Sequence, residues 1–197
     1  MPIEKLRGMV LASLLAALTA VGAYIHIPIG PVPIVLSTLF AVLSGLLLGS
    51  RRGLASMGLY LLVGAIGLPV FAGGKAGLAY FLGPTGGYLF GYLLAAWVAG
   101  FISEHSRGVW ILEIVAVIAG SIAIYAAGVP WLKMVTRISW SRAWMIGVIP
   151  FLIGDAVKAV VILFLVRALR PILKRQQQTL SAYSPALSNA AERNKKQ

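Results

Sequence analysis

The chain has no cysteine, only two histidines (His26 and His105) and only five acidic residues, Glu4, Glu104, Glu113, Asp155 and Glu192. The first absence excludes disulfides, thiolate metal sites and cysteine nucleophiles, and two histidines far apart in sequence give no metal-ligand spacing. Charge of either sign is scarce: 11% of the 197 residues are charged against 59% hydrophobic, with a mean hydropathy of +0.91. Soluble globular domains lie well below this range, so the composition is that of an integral membrane protein. A polar block large enough for a second domain is also missing.

The acids are outnumbered by seventeen Lys and Arg, a net charge of +12. These basic residues stand singly or in pairs between apolar runs and form no basic-aromatic face, which argues against nucleic acid as a partner. Positive loops facing a cytoplasm account for them better.

A membrane-crossing helix needs about 20 mostly apolar residues, because its backbone must satisfy its own hydrogen bonds in lipid. Six segments meet this, approximately 8–27, 34–50, 53–68, 85–103, 109–128 and 150–170, the second and third being short and divided by the turn SRRG. The first follows a basic start and runs past the length of a signal peptide's apolar region, so it is expected to be retained. An even number of spans puts both termini on one side. That side then holds Lys5, Arg7, Arg51, Arg52, Arg107, Arg167, Arg170, Lys174, Arg175, Arg193, Lys195 and Lys196, against Lys75, Lys133, Arg137 and Arg142 on the other. Both termini are therefore expected in the cytoplasm. The expected organisation is an all-α, six-helix membrane domain over 1–175 and a flexible polar cytoplasmic tail over 176–197. No internal repeat supports an inverted-repeat transporter. The cytoplasmic connections are short, whereas the outer ones, IPIGPVP, LPVFAGGKAGLAYFLGP and VPWLKMVTRISWSRAWMIGVI, are long and rich in Gly, Pro and aromatics. They are expected to form a cap that carries function.

The most informative charges are in IPFLIGDAVKAVVILFLVRALRP. Asp155 and Lys158 are three residues apart, hence neighbours on one helical face, in the outer part of an apolar span. They can neutralise one another, with the Asp favoured by the helix dipole after Pro150. They can also recognise a polar ligand: intramembrane ionisable residues are functional by default, and the pair would suit a molecule presenting both an N–H group and an oxygen acceptor or anion. Glu113, at the cytoplasmic start of the fifth span, reads as a helix-end carboxylate at headgroup level.

The stretch FAGGKAGLAYFLGPTGGYLFGY, residues 71–92, carries seven glycines. It matches no phosphate loop, since Ala76 follows the GK pair and no strand precedes it. Gly87 and Gly91 form a GxxxG that would let helices approach closely. Gly73, Gly74 and Gly86, in or beside the loop, would instead bring backbone polar groups near a ligand, with Tyr80, Phe81 and Tyr88 completing a partly apolar pocket.

GLPVFAGGKAGLAYFLGPTGGYLFGY, ISWSRAWMIGVIPFLIGDAVKAVV and PIGPVPIVLSTLFAVLSGLLLG together resemble the BioY family, the biotin-binding S components of energy-coupling-factor (ECF) vitamin transporters. The resemblance covers nearly all of residues 8–170. It implies the ECF S-component fold, with six helices and cytoplasmic termini, in a prokaryotic cell membrane. A biotin pocket would lie near the outer face, and Asp155 and Lys158 match the family's ligand-contacting Asp and Lys. Biotin's ureido ring offers N–H donors and a carbonyl and its valerate ends in a carboxylate; which end meets which charge stays open. The family's Asn after the loop's GG is Lys75 here, which either meets the carboxylate or points into water. Its PxxLQ at the start of the second helix ends in Leu36–Ser37. S components dock on a membrane coupling protein (EcfT or BioN type) through an AxxxA pattern in the first helix. Ala12 and Ala16, or Ala16 and Ala20, supply one, although small residues also pack within a chain. The implied function is biotin capture, with no catalytic residue, no metal and no cofactor. Energised uptake then depends on ABC-type ATPases (BioM or EcfA type). The alternatives are a self-sufficient biotin carrier, an S component for another vitamin, and an intramembrane enzyme using Asp155 as acid or base.

Overall fold

The structure, a computed structural model, describes the backbone of residues 3–106 and 109–194 and the side chains of residues 5–106, 109–173, 175 and 176. Arg107, Lys174, Arg193, Lys195 and Lys196 of the charge count lie outside the described side chains. In chain order the elements are α1 (Ile3–Tyr24), a hairpin of β1 (His26–Ile27) and β2 (Ile34–Val35), α2 (Ser37–Leu48), α3 (Ser50–Ala65), α4 (Ala79–Leu82), α5 (Gly86–His105), α6 (Trp110–Thr136), α7 (Trp140–Gly147), a 3-10 turn (Ile149–Phe151) and α8 (Leu152–Asn194). Among the described residues four stretches are long and apolar enough to cross a membrane: Lys5–Tyr24, Gly86–His105, Trp110–Thr136 and Trp140–Leu173. By itself α2, with 12 residues, falls short.

Apolar side chains face outward as well as inward, and small residues mark several of the closest contacts. On α1, Leu6, Val10, Leu14 and Val21 are exposed while Ala12, Ala16, Thr19 and Ala23 are buried. Lipid tails are as apolar as leucine, so what draws membrane helices together is close packing, which small residues permit. Central α2 buries Leu39, Val42, Leu43 and Leu46. Its Gly45 is so close to α5 that a Cβ there would stand 2.2 Å from the Ala96 carbonyl oxygen. The GxxxG of α5 works in the same way: a Cβ on Gly91 would lie 2.8 Å from the Ile124 Cα of α6. The packing role expected for Gly87 and Gly91 is therefore seen at the α5–α6 contact.

Three elements differ from the sequence expectation. The turn between the second and third spans sits at Gly49 (φ 84°), so Ser50, Arg51 and Arg52 begin α3 instead of forming the turn. Glu104 drives this, its carboxylate accepting from the Ser50 N–H (2.8 Å) and hydroxyl (2.9 Å) at the helix start. The outer stretch after 128 was expected as loop, yet α6 continues through Pro130 to Thr136 and α7 follows. A proline costs less inside a membrane helix whose neighbours can satisfy the freed carbonyl, and α6 stops only where Arg137 turns left-handed (φ 54°). Finally, the backbone of α8 continues to Asn194, well past the 150–170 expected for the last span. Residues 176–194 include three Gln and four Ala, which favour helix, and Pro185, which does not.

Candidate functional site

The glycine loop is anchored before it can line anything. Phe71, fully buried, stacks on Tyr80 (5.1 Å between centroids) and meets Tyr60 and Phe81 edge-on at 5.6 and 5.3 Å. Its N–H bonds the Lys75 carbonyl (3.0 Å), and the Gly74 N–H returns to the Phe71 carbonyl (3.0 Å), closing a tight turn over Gly73 (φ 71°) and Gly74 (φ 73°). Both glycines take the left-handed backbone that other residues avoid. The tyrosine hydroxyls of Tyr24 and Tyr60 donate to the carbonyls of Pro69 and Val70, which fixes the approach to the turn.

Beneath this loop lies a cavity of about 580 Å³, including the part open to solvent. Its walls are largely aromatic: Tyr60, Tyr80, Tyr88, Tyr92, Tyr125 and Phe151, with Ser37 and Thr38 from the start of α2. Asp155 and Lys158 reach it from the first turns of α8. Lys158 Nζ donates to Asp155 Oδ1 at 2.9 Å and to Thr38 Oγ1 at 2.9 Å, and the Tyr125 hydroxyl donates to Asp155 Oδ2. The two side chains remain 12% (Lys158) and 21% (Asp155) exposed. An ammonium has three donors and a carboxylate about four acceptor positions. Two donors are in use on Lys158 and two acceptor positions on Asp155. The remainder can hold a ligand's polar groups, while the aromatic walls bury its apolar part.

A second, outer chamber of about 790 Å³, open portion included, shares Pro33, Ala72, Tyr80 and Thr85 with the cavity, and these four form the neck between them. The sequence-expected site residues divide accordingly. Asp155, Lys158, Tyr80 and Tyr88 line the inner cavity, Gly73 and Lys75 the outer chamber. Gly74 and Gly86 line neither. Gly74 lies beside the Tyr24 ring, and Gly86 is a packing glycine, a Cβ there falling 1.8 Å from the Phe81 carbonyl oxygen.

Sequence reasoning missed Thr38, Tyr92 and Tyr125. Ser37, at the place of the resembled family's Gln, is 1% exposed and shares a 2.7 Å hydrogen bond with the Tyr92 hydroxyl. Thr38 on α2, Tyr92 on α5 and Tyr125 on α6 are not marked by spacing, and only the fold brings them to one cavity. Two further groups singled out in the sequence are buried inside the bundle. Glu113 stands in the first turn of α6, a helix-end carboxylate, and is 2% exposed, inside the end of the bundle remote from the cavity, where the Arg170 guanidinium meets it through Nη1 (2.5 Å) and Nη2 (3.0 Å). Ala12 and Ala16, expected to dock a partner, are 8% and 6% exposed because they pack into this chain's own bundle; the Ala12 carbonyl accepts from the Ser56 hydroxyl of α3 (2.7 Å). Ala20 is half-buried, while Ser13 and Ala17 face outward.

An aromatic cavity with one incompletely satisfied ion pair, roofed by a glycine loop on a bundle of apolar helices, defines a membrane protein built to hold a small molecule. Comparison with known proteins gives its family. The BioY family profile matches residues 1–175. The chain is 41% identical over 157 residues to the biotin transporter BioY of Thermotoga maritima, covering 79% of this chain and 91% of that one. It is 39% identical over 155 residues to the probable biotin transporter BioY of Pyrococcus horikoshii, with the same coverage of 79% and 91%. Among solved structures it resembles the crystal structure of the S component for biotin from an ECF-type ABC transporter, with TM-score 0.80, 31% identity, and 87% and 94% of the two chains covered. The chain belongs to the BioY family.

Proposed function

We propose that this protein is the biotin-capture membrane subunit of an ECF-type uptake system. The observation that carries this reading is the Asp155–Lys158 pair, held by Tyr125 and Thr38 in an aromatic cavity with hydrogen-bonding capacity to spare. Biotin has the matching chemistry: ureido N–H groups for the carboxylate, a carbonyl or carboxylate oxygen for the ammonium, and an apolar bicyclic ring for the tyrosines. In this reading Asp155, Lys158, Tyr80 and Tyr88 hold the vitamin, and Gly73, Gly74 and Lys75 shape its entrance. Membership of a transporter family displaces the intramembrane-enzyme alternative.

Six helices cross a prokaryotic cell membrane with both termini inside, α2 and α3 spanning as a short pair; the twelve-to-four Lys and Arg distribution supports that orientation. Residues 1–175 form the binding domain, the extent over which the family profile matches, and 176–197 extend from it into the cytoplasm. Energy comes from a membrane coupling protein and paired ABC-type ATPases, a reading supported by the ECF-type assignment of the similar solved S component. Helix α1 docks the coupling protein through its outward face, where Ala17 is exposed.

Titration of the purified protein with biotin tests the central claim: saturable one-to-one binding is expected, insensitive to excess thiamin or riboflavin. Displacement by either of those would reassign the vitamin. Uptake by cells expressing this chain without partner subunits would favour a self-sufficient carrier.

A further inference from the structure

The outer chamber differs from the inner cavity in charge. The inner cavity's Lys158 is matched by Asp155, so its ionised groups sum to zero. The outer chamber is lined by Lys75 and His26 among prolines, glycines and other uncharged residues, without a carboxylate. Beyond the chamber, the connecting stretches 25–36, 66–85 and 137–151, short helices included, add Arg137 and Arg142 and contain no acid at all. Lys133 nearby is drawn onto the Trp140 ring at 5.1 Å.

Lys75 is placed for a purpose that packing does not need. Its backbone is fixed, because its carbonyl accepts from the N–H of fully buried Phe71, yet its side chain is exposed. The ammonium stands 5.7 Å from the centroid of Tyr80, one of the four neck residues. His26 lies beside the loop: its Nδ1 is 3.0 Å from the Tyr24 carbonyl and its Nε2 faces Gly73. Lys75 is the one Lys or Arg among the residues that line the chamber.

We infer that the outer chamber is a carboxylate-capture subsite in which Lys75 draws an anionic ligand to the neck before it enters the neutral cavity. The inference rests on biotin, a carboxylate at neutral pH, being the ligand. A solvent-exposed charge at the rim of a site acts mainly on the association rate and is screened by salt, whereas buried contacts set the residence time. Lys75 should thus govern how fast biotin arrives and not how long it stays.

Stopped-flow association of biotin and of its uncharged methyl ester, measured on the full chain and its Lys75→Gln and Lys75→Glu variants, tests this. The expected result is a biotin on-rate lowered about threefold by Lys75→Gln and about tenfold by Lys75→Glu, with unchanged off-rates. The difference should vanish at about 0.5 M salt, and the ester's on-rate should not respond to either variant. An unchanged biotin on-rate, equal slowing of the ester, or a faster off-rate would each overturn the capture subsite while leaving biotin binding intact. Absence of saturable biotin binding by the unaltered chain would instead overturn the function on which it rests.

Discussion

Helix α8 carries two ion pairs four turns apart, and they are built to opposite specifications. At the cavity end Asp155 and Lys158 are incompletely satisfied, each with one partner beyond the other: Tyr125 for the carboxylate and Thr38 for the ammonium. At the remote end Arg170 holds Glu113 with both nitrogens and also donates to the Leu46 carbonyl (2.9 Å) and the Ser103 hydroxyl (2.6 Å). Glu113 receives two more hydroxyls, Ser106 at 2.7 Å and Ser103 at 3.2 Å. Its carboxylate is thereby saturated, and α2, α5, α6 and α8 are tied at one point. No ligand can add to the second cluster, and a ligand is what would complete the first. Charge inside a membrane domain is thus not by itself a mark of a site; unspent hydrogen-bonding capacity facing a cavity is.

The largest expected effect comes from breaking the saturated cluster. Removing one member of a buried, hydrogen-bonded ion pair leaves the other uncompensated, at a cost of about 3–5 kcal/mol. Arg170→Ala or Glu113→Ala should therefore lower the thermal unfolding temperature in detergent sharply, whereas the Arg170→Met, Glu113→Leu double variant should recover most of the loss. Single variants with wild-type melting would remove the contrast between the two clusters.

The cavity pair should respond the other way round. Asp155→Asn and Lys158→Ala each delete hydrogen bonds to a charged group, so biotin binding should weaken by about 1–3 kcal/mol in a calorimetric titration. Folding should suffer less than at Glu113, because both side chains keep access to water through the cavity. If the two variants melted early and bound normally, the cavity pair would be a structural clasp as well, and the ligand would have to be held elsewhere.

How much of this was legible in the sequence follows from the range of each interaction. Asp155 and Lys158 are three residues apart on one helix, so their shared face could be read from spacing. Gly87 and Gly91, likewise local, were correctly assigned to packing. Thr38 meets Lys158 across 120 residues, Tyr125 meets Asp155 across 30 and Arg170 meets Glu113 across 57, and periodicity carries no trace of such pairings. Glu113 reads from the sequence as a helix-end carboxylate, which it is; the Arg170 that pairs with it lies on another helix and leaves no local trace. The AxxxA of α1 is ambiguous for a related reason. Small residues permit close approach, but the pattern does not say whether the approaching helix belongs to the same chain, and here α3 packs against Ala12. Ala16→Leu should accordingly destabilise the protein by overpacking, about 1–3 kcal/mol, and not merely weaken partner assembly; unchanged melting with lost assembly would return Ala16 to the docking surface.

The smallest expected effect is also the most selective. Tyr125 donates to Asp155 Oδ2 and lies edge-on to Tyr88, with ring centroids 6.5 Å apart. Tyr125→Phe keeps the ring and its packing, and removes only the hydroxyl that orients the carboxylate. If Asp155 is a ligand group held in position, the freed oxygen rotates or takes water from the cavity, so biotin affinity should fall by about 0.5–1.5 kcal/mol while the melting temperature stays close to that of the unaltered chain. The corresponding change at the other cluster, Ser106→Ala, strips one hydroxyl from a carboxylate that water does not reach. It should lower the melting temperature and leave biotin affinity alone. Equal losses of affinity in both variants would mean that α8 transmits strain between its ends and that the two clusters are one device.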